Sequence, residues 1–169
     1  MLYRKIYKEI ESFYANNKKE ALLLTGARQV GKSFVIREFG KKHFESFVEI
    51  NFLENTDAAT VFLGAQDAQD ILLRLSVLAN KPMPKGKTLI FLDEVQCVPD
   101  VLTVIKFLVE EGSYRYALSG SLLGVELRNI RSMPVGFLTV KEMYPLDLEE
   151  FFVACGVQSR VFDALSDSF

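Results

Sequence analysis

A glycine-rich octapeptide that ends in lysine and serine constrains this chain more than any other feature of its sequence. Residues 26–33 read Gly-Ala-Arg-Gln-Val-Gly-Lys-Ser and fit the pattern GxxxxGK[ST]. The apolar run 21–25 before it predicts a buried strand, and the residues from Lys32 to about Lys42 predict a helix. A glycine-rich turn between a strand and a helix lets backbone amides converge on an anion at the positive end of the helix dipole. The octapeptide therefore predicts a phosphate-binding loop.

The residue types of this loop match the parts of a nucleotide. Gly26 and Gly31 let the backbone wrap a phosphate chain, Lys32 reaches the β- and γ-phosphates, and the Ser33 hydroxyl is a ligand for Mg²⁺. We predict nucleotide contacts along one continuous segment: Gly26, Ala27, Arg28, Gln29, Val30, Gly31, Lys32, Ser33 and Phe34.

The rest of the chain alternates between strand and helix patterns. Further strands are predicted over 47–52, 88–92, 114–118 and 137–140, and further helices over 2–16, 56–80, 100–111 and 148–155. We expect Asp100 to cap the helix 100–111, and Asp147 with Glu150 to form a capping box for the last helix. Strands that alternate with helices indicate an α/β fold, here a doubly wound, mostly parallel five-stranded sheet with helices on both faces.

Two carboxylates, Asp93 and Glu94, directly follow the apolar strand 88–92. Ligands of open α/β sheets bind at the carboxyl ends of the strands. We predict that Asp93 holds Mg²⁺ opposite Ser33, and that Glu94 orients the water that attacks the γ-phosphate or accepts its proton. The alternative is a pair of solvated carboxylates at a helix start, which the preceding run of four large apolar residues disfavours.

Polar residues near the ends of other predicted strands are further candidates. Asn51 ends the second strand, and Ser119 and Ser121 follow the fourth, so all three are expected near the acidic pair. A turn role for Asn51 and helix-capping roles for the serines stay open as alternatives. Arg128 and Arg131 are candidates for an arginine that neutralises transition-state charge from a neighbouring subunit, with ordinary surface arginines as the alternative.

The composition disfavours several other classes of protein. The longest stretch without a charged residue is ten residues, too short to cross a bilayer, and the first residues do not form a targeting peptide. Cys97, Cys155 and the single histidine His43 do not make a zinc site. We therefore expect a reduced, cytoplasmic protein with no membrane partner. Residues 1–42 carry ten Lys and Arg against four Asp and Glu, which suits a polyanionic ligand or a solvated face.

With these motifs, the chain resembles the AAA+ ATPases. More narrowly, it resembles a prokaryotic group of these ATPases with a Gly-Ala-Arg-Gln-Val-Gly-Lys-[Ser/Thr] loop. That group also carries an Asn-Phe pair, a Leu-Asp-Glu-x-Gln block and a Tyr-Pro-Leu-x-x-x-Glu-Phe block, which occupy residues 51–52, 92–96 and 144–151 here.

The resemblance implies a P-loop AAA+ ATPase domain over residues 1–155, with the strand order 5-1-4-3-2. It implies Mg²⁺-dependent ATP hydrolysis, coupled to conformational change in a partner or a further domain. Asn51 would couple Glu94 to the state of a neighbouring subunit, and Ser119 or Ser121 would sense the γ-phosphate. The base would lie near residues 3–6.

Relatives in that group are longer and continue into a helical region and a nuclease-like C-terminal domain. By this resemblance, residues 156–169 begin a truncated helical continuation, and the chain lacks a helical lid and a second sensor arginine. Phe137 also stands where relatives often carry Lys or Arg. Besides ATP, the resemblance leaves open a homo-oligomer and a protein or nucleic-acid target.

Two other functions stay open at this point. A small-molecule kinase would need an arginine-rich lid, but residues 112–140 contain only Arg115, Arg128 and Arg131. A binding module could use nucleotide as a structural switch without turnover. A GTPase is disfavoured because the guanine-reading pattern Asn-Lys-x-Asp does not occur.

Overall fold

Five parallel strands form one sheet in the computed structural model, which describes residues 2–16, 18–64, 67–121 and 136–156. The strands are β1 (Ala21–Thr25), β2 (Ser46–Asn51), β3 (Thr88–Asp93), β4 (Arg115–Ser119) and β5 (Leu138–Glu142). The α-helices in these residues are α1 (Lys5–Ala15), α2 (Lys32–His43), α3 (Ala68–Ala79), α4 (Asp100–Glu111) and α5 (Leu148–Ala154). Short 3-10 helices cover Thr56–Val61 and Val95–Cys97.

The strand order across the sheet is β2-β3-β4-β1-β5, and every neighbouring pair is parallel. Read from the other edge this is 5-1-4-3-2, so the predicted α/β fold class and strand order are confirmed. Asn51 of β2 pairs in register with Asp93 of β3, and Leu24 of β1 pairs with Ser119 of β4. The carboxyl ends of β2 and β3, and those of β1 and β4, therefore lie side by side at one edge of the sheet.

Helices cover both faces of the sheet because successive side chains of a strand point to opposite sides. Leu23 packs in a core with residues of α3 and α4, whereas Leu22 and Leu24 pack in a second core with residues of α1 and α2. All residues of β1 and β3 are buried, which explains the apolar runs 21–24 and 89–92 within these strands. None of the helices in the described ranges has the length and apolar character that a membrane span requires.

The predicted single helix over residues 56–80 is wrong. A 3-10 helix occupies Thr56–Val61, and α3 begins only at Ala68. Gly64 adopts φ +63°, a left-handed conformation that a continuous helix does not allow. Asp67 then starts α3 by accepting a hydrogen bond from the Asp70 backbone amide at 2.9 Å.

The starts of α4 and α5 contrast with each other. Asp100 does not cap α4: Pro99 is the N-cap, and the chain enters α4 from the preceding 3-10 helix through backbone bonds such as Leu102 N to Pro99 O at 3.0 Å. In α5 the predicted capping box of Asp147 and Glu150 is confirmed in both of its hydrogen bonds.

Candidate nucleotide-binding site

The loop 26–33 connects β1 to α2 and needs glycine at two positions. Gly26 has φ +137°, and a Cβ atom there would overlap the carbonyl oxygen of Met143, just beyond β5. Gly31 has φ +99° at the N-cap of α2. The shape of the loop therefore depends on backbone conformations that residues other than glycine rarely adopt. The loop leads directly into the N-terminus of the twelve-residue helix α2.

Lys32 lies folded against this loop. Its Nζ donates hydrogen bonds to the carbonyl oxygens of Ala27 at 2.7 Å and Gly26 at 3.1 Å. The residue is buried, and burial lowers the pKa of Lys32, while the charges of Glu94 and Asp93 act in the opposite direction. Backbone carbonyls of the loop thus hold the ammonium inside it.

Asp93, the last residue of β3, is the centre of a buried hydrogen-bond network. Its carboxylate accepts from Asn51 Nδ2 at 3.1 Å, from the Glu94 backbone amide at 3.1 Å, and from the Ser119 hydroxyl. The residue is 1% exposed. The strand register creates this cluster, since each of the two side-chain donors ends a strand beside β3.

Asn51 combines two of the roles considered from the sequence. Its Oδ1 accepts hydrogen bonds from the backbone amides of Leu53 at 2.9 Å and Glu54 at 3.1 Å, as a turn residue does. Its Nδ2 meanwhile donates to Asp93. The structure thus brings Asn51 to the site, and its amide contacts Asp93 where the resemblance had implied Glu94.

Glu94 follows Asp93 in a left-handed conformation, with φ +59° and ψ +44°. Its carboxylate accepts a hydrogen bond from Gln96 Nε2, and Gln96 Oε1 accepts one from the Ser121 backbone amide at 3.3 Å. Ser121 therefore reaches the site through its backbone, while Ser119 reaches it through its hydroxyl. Gln96 belongs to the Leu-Asp-Glu-x-Gln block at residues 92–96, but no pattern in the sequence predicts the hydrogen-bond partners of its amide.

Sequence reasoning missed Arg4. This arginine is 8% exposed, and its guanidinium donates to the Val30 carbonyl of the loop at 2.8 Å and to the Tyr144 carbonyl at 2.6 Å. Its Nε forms an ion pair of 3.2 Å with Glu150, which is 4% exposed. The Tyr-Pro-Leu-x-x-x-Glu-Phe block is thereby connected to the phosphate loop.

Glu150 joins two helix starts as well. One carboxylate oxygen accepts from the Lys5 backbone amide at 2.7 Å, at the start of α1, and the other accepts from the Asp147 backbone amide at 3.2 Å, at the start of α5. The only sequence signals for this cluster were the capping-box spacing and the Tyr-Pro-Leu block. Neither one identifies a partner 146 residues away.

The remaining predicted residues are distributed as follows. Ser33 is partly exposed in the first turn of α2, Phe34 beside it is 51% exposed, and Arg28 is exposed on the loop. Arg128 and Arg131 lie outside the described residues.

The oxygen donors at the site fit a magnesium ion. Mg²⁺ prefers hard oxygen ligands, and in nucleotide sites one or two protein ligands suffice because phosphates and water supply the others. The described residues contain no cluster of three or more His, Cys, Asp or Glu side chains suited to a metal. The Ser33 hydroxyl, in the first turn of α2, and the Asp93 carboxylate, at the end of β3, are oxygen donors of this kind.

Comparison with known proteins gives a family and a fold. A family model described as "AAA domain" matches residues 18–152. No curated protein matches the chain significantly. Among solved structures, the Aeropyrum pernix ORC2 protein, in ADPNP-ADP complexes, is 15% identical with a TM-score of 0.55 over 92% of this chain and 51% of that one.

Two further structures are similar to this chain. Pif1 helicase from Candida albicans is 12% identical with a TM-score of 0.52, over 99% of this chain and 44% of that chain. PCH-2 from C. elegans is 15% identical with a TM-score of 0.51, over 95% and 49%. The chain spans about half the length of these three proteins. At such identities the similarity shows the fold alone.

Proposed function

Because this chain belongs to the AAA domain family, we propose that it binds ATP with Mg²⁺ at the loop 26–33 and hydrolyses it. One observation carries the proposal: the ammonium of Lys32 lies in the loop that follows β1, and Asp93 and Glu94 stand at the carboxyl end of β3, at the same edge of the parallel sheet. A phosphate-binding loop alone would suit many ligands. A buried carboxylate beside a second, accessible one adds the parts needed for turnover.

Phosphate oxygens replace backbone carbonyls as partners of Lys32 in this proposal. The ammonium gives up its bonds to Gly26 and Ala27, and the amides at the start of α2 donate to the same phosphates. The Ser33 hydroxyl and the Asp93 carboxylate would hold the cation. Bound Mg²⁺ would neutralise charge on the β- and γ-phosphate oxygens.

Glu94 acts in the chemical step. The oxygen of a water molecule forms a bond to the γ-phosphorus, while the bond from that phosphorus to the bridging oxygen breaks and its electron pair leaves with ADP. Glu94 orients this water and accepts one of its protons. Ser119 and Ser121 remain candidates for sensing the γ-phosphate, and Arg128 and Arg131 for acting from a neighbouring subunit.

We propose further that turnover changes the conformation of a partner or a further domain. Support comes from the contacts of Arg4, which run from the Val30 carbonyl of the loop to Glu150 of the last described helix. A shift of the loop on nucleotide binding would be transmitted to α5 through this buried guanidinium. In this proposal residues 1–155 form the ATPase domain; the helical continuation that the resemblance implies for the segment after it falls on residues 157–169, which lie outside the described residues.

The substitution Glu94→Gln tests the function because glutamine keeps the size of the side chain but accepts no proton. We expect single-turnover hydrolysis to fall about 100-fold or more, with Mg·ATP affinity about unchanged. Glu110→Gln, an exposed residue at the end of α4, is the matched control and is expected to behave as wild type.

Three results would contradict the proposal. An unchanged rate of hydrolysis in Glu94→Gln would show that Glu94 does not act in the chemical step. Phosphate transfer that requires a small-molecule acceptor would indicate a kinase. Tight Mg·ATP binding by the wild type without phosphate release would indicate a nucleotide-dependent switch.

A further inference from the structure

We propose that Gln96 is a positioning residue, which holds the Glu94 carboxylate in place by connecting it to the backbone of Ser121. This inference deepens the proposed function and rests on the role of Glu94 in hydrolysis.

The first support is the backbone at Glu94. A left-handed conformation is uncommon for a residue with a side chain, and such conformations cluster at functional sites. Here it turns the chain from β3 into the 3-10 helix Val95–Cys97, which Cys97 N closes by donating to Glu94 O at 2.9 Å. This tight turn places the side chain of Gln96 next to that of Glu94, two positions earlier.

The second support is the match between donors and acceptors. An ionised carboxylate only accepts hydrogen bonds, and a backbone amide N–H only donates them. A side chain that joins Glu94 to the Ser121 amide must therefore donate at one end and accept at the other. The amide of Gln96 does both, through Nε2 and Oε1. Neither a carboxylate nor an ammonium at position 96 meets both requirements.

The third support is the arrangement of the neighbouring polar groups. Asn51 and Ser119 direct their donors to Asp93, not to Glu94. Within the described residues, the side-chain hydrogen bond to the Glu94 carboxylate comes from Gln96. A glutamate side chain without this bond has several rotamers available and orients an attacking water in only some of them.

The substitution Gln96→Ala removes both ends of the connection. We expect single-turnover hydrolysis to fall about 10-fold, because a misplaced catalytic group loses rate, while the Kd for Mg·ATP changes less than about 2-fold. Gln96→Glu keeps the size of the side chain but cannot donate to Glu94 and repels it, so hydrolysis should fall at least as far. Gln96→Lys keeps a donor for Glu94 but has no acceptor for Ser121, and it should also be slow.

A double-mutant cycle distinguishes positioning from a general structural effect. If Gln96 acts through Glu94, then Gln96→Ala should cause no further loss of hydrolysis in a Glu94→Gln background. Gln69→Ala is the matched control, because Gln69 is an exposed glutamine of α3 whose amide bonds Glu111 away from the site. It should leave both hydrolysis and affinity at wild-type values. Thermal unfolding of each variant shows that it is folded.

The outcomes separate this inference from the proposed function. If Glu94→Gln loses hydrolysis but Gln96→Ala and Gln96→Glu do not, Gln96 has no positioning role and only this inference fails. An equal loss from Gln96→Ala in both backgrounds, or a loss of affinity in place of rate, also overturns it. A wild-type rate of hydrolysis in Gln96→Lys would show that the hydrogen bond from the Ser121 amide does not contribute to positioning. If the wild type does not hydrolyse ATP, or Glu94→Gln is unaffected, both proposals fail.

Discussion

At the scale of single residues, the charged groups of the site already have protein partners in the structure. Lys32 is bonded to two carbonyls of its own loop, and Asp93 accepts three hydrogen bonds from neighbouring groups. In the proposed function, ATP binding would therefore exchange existing hydrogen bonds rather than fill unsatisfied ones. In this proposal the ammonium exchanges neutral carbonyl acceptors for charged phosphate oxygens, and the gain is the added attraction between opposite charges.

Lys32→Ala should abolish measurable ATP binding without unfolding the protein. The lysine supplies the charge, whereas Gly26 and Gly31 give the loop its shape. Burial lowers the pKa of Lys32, so its loss also removes a buried cation and should not destabilise the fold strongly. Calorimetric titration with ATP checks the first expectation and thermal unfolding the second. Lys41→Ala, on the exposed side of the same helix, is the control. Wild-type affinity for ATP in a folded Lys32→Ala protein would show that ATP does not bind at this loop.

Asp93→Asn should weaken Mg²⁺-dependent binding more than it weakens binding of free ATP. The substitution removes the negative charge that faces the cation, and it places an amide where three donors now point at a carboxylate. Titration of ATP with and without Mg²⁺ measures the difference. Equal affinity loss in both titrations would mean that Asp93 is structural and not a metal ligand.

At the scale of elements, the ends of three elements meet in one buried cluster. Arg4 precedes α1, its guanidinium bonds the loop at Val30, and Glu150 in the first turn of α5 pairs with it. An unpaired buried charge is costly, so the pair is stable only while both members and their further hydrogen bonds are present. The cluster therefore ties the phosphate loop to the Tyr-Pro-Leu block.

Arg4→Met should lower the free energy of unfolding by about 3 kcal/mol, because it leaves the buried Glu150 carboxylate without its partner and two carbonyls without a donor. Arg37→Met breaks the more exposed Arg37–Glu49 pair and should cost less than about 1 kcal/mol. Urea unfolding measures both values. An equal loss in the free energy of unfolding for the two variants would show that burial does not determine how much Arg4 contributes to stability.

At the scale of the whole molecule, the sheet brings distant parts of the chain to one edge. All five strands are parallel and β1 lies between β4 and β5, so the loop after β1 is adjacent to the carboxyl ends of both neighbours. The strand β3, which carries the acidic pair, is separated from β1 by β4 alone. This arrangement places the loop 26–33 and the acidic pair at the same edge of the sheet. The chain itself spans about half the length of the solved structures that it matches.

We expect ATP to bind more tightly than GTP. The Asn-Lys pairs at residues 17–18 and 80–81 are not followed by the aspartate that reads guanine, and the chain belongs to the AAA domain family. Competition of both nucleotides against labelled ATP measures the preference. Equal displacement by GTP would contradict it.

Local sequence alone determined the loop between a buried strand and a helix at residues 26–33, the acidic pair after a buried strand and the α5 capping box. Glycine torsions, apolar periodicity and helix capping depend on residues only a few positions apart. The local sequence is therefore sufficient to predict these features. The strand order came from family resemblance instead, and the continuous helix over 56–80 was wrong because periodicity did not reveal the turn at Gly64.

Only the tertiary structure decided which polar side chains meet. It paired Arg4 with Glu150 across 146 residues, directed Asn51 to Asp93 rather than to Glu94, and connected Gln96 to Ser121. A hydrogen bond depends on differences of a few tenths of an ångström and on donor direction, and strand register and chain packing set both. No spacing along the sequence contains that information.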